Sequence, residues 1–269
     1  MNKSMQPAAA WAVAAVLASV SSGPATACDV TCLALDPLAA ARGATTETTF
    51  TFGSGTGDNT SAEFILRPRA YLDMTGGQFA FSGDLPIATA AAGAVLPPSY
   101  PDANGGQRAT GTGDLVVRAA YVSEGSLRWT TGLAFTAPTN SKSGLSGPGW
   151  GAGVTLGLTG RSGRLTWGGT LEQIWGEDGH QELSVRPVLF YSFENGWYTG
   201  YDGVIAYDWS APEDTNAGLF PAGLSVGRAM PLSSGRVMDF RVGYYALQNG
   251  PEGSGDGQLR FGFSLLRGR

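Results

Sequence analysis

The chain is short of charge, lysine, histidine and cysteine. Only 14% of its 269 residues are charged, and Lys3 and Lys142 are the only lysines among 17 basic residues. One histidine and two cysteines are too few for a His/Cys metal centre. No metal and no cofactor is therefore expected. The formal charge of −5 excludes the basic surface that nucleic-acid binding needs. Past residue 27 no run of 18 apolar residues occurs, so a transmembrane helix is excluded. Low charge together with 10% aromatics also excludes a disordered chain. Glycine is abundant, 41 residues, but without the three-residue period of collagen.

What is present begins with an address. Residues 1–27 read as a secretory signal: Lys3, the apolar run 8–20, then small residues ending in Ala25-Thr26-Ala27. Cleavage after Ala27 makes Cys28 the first mature residue. Lipid attachment there stays open, although Ala25 stands where such signals carry Leu or Val. Cys28 and Cys32 are expected to close a small disulfide loop in an oxidising compartment. Residues 28–44 are expected to lie on the periplasmic side, with Leu33, Leu35 and Leu38 suggesting a short helix or plug.

From residue 45 to 269 the hydrophobic period is two. Leu127, Trp129, Leu133 and Phe135 share one face, and Arg128, Thr130, Gly132 and Ala134 the other. The same alternation recurs over 45–53, 62–73, 77–87, 113–124, 126–137, 149–160, 163–175, 182–193, 196–209, 218–230, 235–248 and 257–266. These twelve segments are joined by connections of which every second one is the tighter. That pattern predicts an all-β fold: an up-and-down antiparallel transmembrane barrel of about twelve strands, with short periplasmic turns and longer external loops. A Greek-key sandwich gives no reason for it.

The six tryptophans past the signal fit the same geometry. Trp129, Trp167 and Trp197 fall at expected periplasmic strand ends, and Trp150, Trp175 and Trp209 at external ends. Trp167 and Trp175 are eight residues apart on one strand, Trp197 and Trp209 twelve. At ~3.3 Å rise and ~40° tilt these pairs span roughly 20 and 30 Å, the separation of two aromatic girdles. Ordinary core tryptophans in a soluble sandwich are the competing explanation.

The opposite strand face carries the charge. Arg67, Arg69, Arg118, Arg128, Arg186, Arg241 and Arg260 are expected to line a lumen with Glu47, Asp84, Glu172, Asp202, Asp208 and Asp239. Charges in so narrow an interior must be paired or hydrated. Such a lumen can set passage and selectivity, or simply fill the barrel with ion pairs. The connection 88–112 is long and nearly uncharged, and is expected to fold over the mouth and narrow it.

Several strings resemble a family of outer-membrane barrels described as "meta-pathway of phenol degradation" transporters. Gly111-Thr-Gly-Asp-Leu-Val-Val-Arg-Ala-Ala-Tyr121 is similar to its glycine–aspartate strand opening. Gly132-Leu-Ala-Phe-Thr-Ala-Pro-Thr139 resembles a strand ending in Pro-Thr-Gly, with Asn140 in the last place. Phe220-Pro-Ala-Gly-Leu-Ser-Val-Gly-Arg228 and the closing stretch from Tyr244 to Phe261 are similar to its last strands, with Gly257 where an aromatic is usual. The resemblance implies a bacterial outer-membrane channel, not an enzyme, for small organic solutes, aromatic or hydrophobic ones among them. Its partners would be outer-membrane lipid and those solutes; oligomeric state stays open. A structural or adhesive barrel without transport is the alternative. A hydrolase built on His180 and Ser184 is a further one.

Overall fold

The computed structural model describes residues 30–38, 44–54, 61–90, 109–142, 145, 147–210, 218–233, 235–248 and 256–267. The expected signal segment 1–27, Cys28 and residues 91–108 of the long connection lie outside these residues.

A six-residue helix, α1 (Val30–Leu35), precedes the strands. The strands are β1 (Ala44–Ser54), β2 (Ser61–Met74), β3 (Gly77–Ala90), β4 (Ala109–Thr112), β5 (Leu115–Ser123), β6 (Leu127–Ala137) and β7 (Gly151–Ser162). They continue as β8 (Leu165–Gly176), β9 (Gln181–Ser192), β10 (Trp197–Tyr201), β11 (Ile205–Asp208), β12 (Gly218–Pro231), β13 (Arg236–Gln248) and β14 (Gly257–Arg267). Apart from β4 with β5 and β10 with β11, each pairs antiparallel with its neighbour in sequence, and β14 returns to pair with β1. The sheet is thereby closed on itself among the described residues. β4 and β5 both pair with β3, and β10 and β11 lie in line between β9 and β12. The fourteen segments therefore form twelve staves.

The gap between β4 and β5 falls at the start of the strand expected over 113–124, whereas the gap between β10 and β11 interrupts the one expected over 196–209. The first has its cause in Asp114. This fully buried carboxylate accepts the backbone N–H groups of Asn140 at 3.2 Å, Gly147 at 2.8 Å and Gly149 at 3.3 Å. It leaves the ladder to anchor the connection between β6 and β7. The second break, residues 202–204, is flanked in register by Pro187 of β9 and Pro221 of β12. Proline has no N–H to give to a ladder. The long connection is also shorter than expected: Ile87 to Ala90 pairs with Ala109 to Thr112, so backbone ladders form even in this small-residue stretch.

Turn chemistry sets two hairpins. Asn195 (φ 59°) and Gly196 (φ 78°) are both left-handed, and the N–H of Trp197 returns to the carbonyl of Glu194. Asp178 (φ 54°) and Gly179 (φ 79°) repeat this between β8 and β9. Asn-Gly and Asp-Gly favour such type I′ turns because both central residues must adopt positive φ. Gly168 is different: it lies inside β8 at φ 135°, and a Cβ there would stand 2.1 Å from the carbonyl oxygen of Leu158.

The apolar residues of the alternation point outward. Leu127, Trp129, Leu133 and Phe135 are each about half exposed, whereas Thr130, Ala134 and Thr136 between them are buried. In water such a belt would be an aggregation surface. Inside, α1 occupies the end of the barrel where the short turns lie. Leu35 packs there against Val188, Phe190, Tyr198, Ala229, Val237 and Leu266.

Candidate functional site

The interior holds a cavity of about 290 Å³ and a second of about 40 Å³ nearer the loop end. Six residues line both: Ile65, Arg118, Glu172, Ser184, Arg186 and Val204. They form a septum across the barrel. Residues from opposite walls meet there because inward side chains on β2, β3, β5, β8 and β9 converge at one height.

The septum is an ion-pair chain. Arg67 of β2 grips Asp84 of β3 with both arms, Nε to Oδ1 at 2.5 Å and Nη2 to Oδ2 at 2.9 Å. Arg118 of β5 donates to the same Asp84 Oδ2 at 2.9 Å. Its other side reaches Glu172 of β8, at 2.5 and 2.7 Å. Glu47 of β1 extends the chain, 3.5 Å from Arg67 and 2.8 Å from Arg69. Fork-to-fork geometry of this kind suits arginine and not lysine, which matches the composition. Breaking one member leaves a buried charge uncompensated.

A second cluster sits on the opposite wall. Arg241 pairs with Asp202 at 2.6 Å and lies 3.7 Å from Asp239. Tyr245 donates its hydroxyl to Asp202, and Tyr198 donates to Asp239 at 2.6 Å. Arg260 stacks over Tyr245 with its guanidinium carbon 4.9 Å from the ring centre, and donates to Gln258 Oε1 at 2.7 Å. Arg128 pairs with Asp36, the residue that follows α1. Asp36 also accepts from Thr159 at 2.6 Å and from the N–H of Leu38 at 2.9 Å.

Of the lumen residues named from the sequence, Arg67, Arg69, Arg118, Glu172, Arg186, Asp202, Arg241 and Arg260 line the larger cavity, and Asp84 the smaller. Arg128 and Asp239 are interior but engaged in the walls, with the plug and with Tyr198 respectively. Asp208 lines neither cavity. It ends β11, and its carboxylate accepts the N–H of Ser210 at 2.8 Å together with the Ser210 hydroxyl. Sequence reasoning passed over Asp36, Glu63, Asp114 and Glu182. Glu63 shares parity with Arg67, and Glu182 with Arg186, so the period-two rule was sufficient to find them. Asp36 and Asp114 lie off the regular strands and left no periodic signal.

The tryptophans are on the outer surface. Trp129, Trp150, Trp175, Trp197 and Trp209 are exposed; Trp167 is half-buried, its ring lying over Gly160 of the next strand. Cys32 is buried and disulfide-bonded; Cys28, the only other cysteine, is outside the described residues. His180 is not a solvated loop residue. Its Nε2 stands 3.6 Å from Glu182 and makes no hydrogen bond among the described residues, so it does not engage Ser184. Nearby Glu182 raises its pKa above the ordinary histidine value. Among the described residues no group of three or more His, Cys, Asp or Glu is placed to hold a metal.

The whole-chain shape has solved counterparts. An outer-membrane channel from Pseudomonas putida F1 superimposes with a TM-score of 0.58 at 16% identity, over 86% of this chain and 97% of that one. This is an outer-membrane β-barrel fold. The β domain of the Bordetella autotransporter BrkA (TM-score 0.45, 14% identity, 83% and 98% coverage) resembles the barrel more loosely. So does the monoaromatic hydrocarbon channel CymD (TM-score 0.43, 11% identity, 92% and 95% coverage). No protein-family model matches the chain, and no curated protein matches it.

Proposed function

We propose that the barrel sits in a bacterial outer membrane and passes small organic solutes, aromatic ones included. The observation that carries this is the cavity of about 290 Å³ enclosed by a closed twelve-stave wall. Its lining mixes apolar groups, Ile65, Val188 and Phe190, with paired charges, so it offers both an apolar and a polar surface to a solute. The outward apolar belt supports the membrane setting, since an Arg or Lys at mid-bilayer costs about 2–4 kcal/mol. The solved channel of matching shape supports the same reading. On this orientation the short turns and α1 face the periplasm, and the resemblance to the phenol-pathway barrels agrees with organic cargo.

Passage requires α1 to move, because Leu35 and Asp36 are docked inside the periplasmic mouth. Planar-bilayer recordings and liposome swelling test the proposal. The full chain should show small conductance and slow solute uptake, and deletion of residues 30–38 should raise both several-fold. A deletion variant that is folded yet carries no current would overturn it. The plug and the septum favour one second reading, a closed structural barrel, and that outcome would select it.

A further inference from the structure

Arg186 is the exception in an interior of paired arginines. Arg67, Arg69, Arg118, Arg128 and Arg241 each hold a carboxylate, and Arg260 holds Gln258 and stacks on Tyr245. Among the described residues Arg186 makes no ion pair and no hydrogen bond, although it lies in the septum wall shared by both cavities. The carboxylates near it are already engaged by other arginines. Glu172 spends both oxygens on Arg118, and Asp84 spends both on Arg67 and Arg118. The connected set Arg69, Glu47, Arg67, Asp84, Arg118 and Glu172 is balanced at three charges of each sign. Arg186 therefore adds one positive charge that no member of that set neutralises. Glu182, on the same inward face of β9, lines the smaller cavity and faces His180 at 3.6 Å.

A desolvated guanidinium without a counter-charge is costly, and its planar fork matches a two-oxygen anion. We propose that Arg186 is the anchor of a binding site for small organic monocarboxylates within the lumen. One guanidinium fork without a partner calls for one two-oxygen anion. The space calls for a short apolar body: the 40 Å³ cavity holds little more than a water, whereas the 290 Å³ cavity on the periplasmic side is walled by Val188, Phe190 and Ile65. The carboxylate sits at the septum and the body extends below it. This rests on the channel reading only for its access route, and it names the solute class of that same lumen.

The probe is benzoate, with benzamide as its uncharged isostere. Binding to the full chain in detergent is measured by calorimetry, and block of chloride current is recorded in planar bilayers. Wild type should bind benzoate at least about tenfold more tightly than benzamide, the worth of one charge-assisted contact. R186Q should abolish that preference, and R186K should keep part of it, because lysine retains charge but loses the fork. Heat-shifted gel migration identifies folded variants. The wild-type comparison of the two probes stands even if a variant fails to fold. Equal affinity for benzoate and benzamide, or unchanged benzoate binding in folded R186Q, overturns the site. Benzoate binding without any current keeps the site and removes the channel. Current without benzoate binding or block keeps the channel and removes the site.

Discussion

Two constrictions close the same lumen, and they are built from different forces. The septum is a chain of charges on β1, β2, β3, β5 and β8, five staves pulled together by bidentate contacts. The plug is a six-residue helix held by Leu35 in an apolar cluster, with Leu33 and Ala34 packed against it, and by Asp36, which pairs with Arg128 and accepts from Thr159. The first belongs to the wall and cannot leave without unfolding it. The second comes from residues outside the sheet and can undock while every ladder stays intact. In the channel proposed above, movement would concentrate at the plug and selectivity at the septum.

The largest expected effect tests the septum. Asp84→Asn leaves Arg67 and Arg118 without their shared carboxylate, and should cost about 3–5 kcal/mol of barrel stability. Denaturant unfolding in detergent, or the temperature at which the compact gel form disappears, measures this. A loss below 1 kcal/mol, on the order of a surface pair, would erase the distinction between the two constrictions.

Leu35→Ala should weaken plug docking by roughly 2–4 kcal/mol, the usual cost of truncating a buried leucine. The unfolding midpoint of the sheet should stay near wild type while conductance rises. If the midpoint falls as far as in Asp84→Asn, the helix is part of the barrel core and the comparison fails.

The smallest effect lies at the loop end. His180 has its pKa raised by Glu182, so its charged form is favoured in the folded state. Its stabilisation is fully present below about pH 6.5, the unfolded value, and is lost as pH rises through the higher folded value. A single pair at the loop end contributes less than the multi-carboxylate septum. A titration of the imidazole proton should place its midpoint above 6.5 in wild type. In Glu182→Gln the midpoint should fall, and an unchanged midpoint would remove the pair from the account. Neither constriction should respond, which makes this site the control for both.

Much of the barrel was legible because membrane strands obey a two-residue rule on both faces. Leu127 to Phe135 shows it: a one-residue slip would turn four large apolar side chains inward, so the register is written into the alternation. Asn195-Gly196 and Asp178-Gly179 announce their turns for an equally local reason, the need for positive φ. The interior chemistry was legible only as parity. Arg118 and Glu172 stand 54 positions apart and meet across the barrel. Asp208 has the right parity but sits at the loop end of β11, where the turn takes its carboxylate. Asp114 and residues 202–204 break the ladder for contacts made elsewhere in the molecule.

The sequence by itself determined that this chain builds strands with an apolar and a polar face, and about twelve of them. Those properties depend on side-chain polarity at fixed spacing, which each segment carries alone. Only the tertiary structure decided which charges neutralise each other, that the N-terminal helix seats in the turn-end mouth, and that Arg186 makes no ion pair among the described residues. Charge pairing depends on distance through space, and closure of the sheet brings distant strands to opposite sides of one lumen.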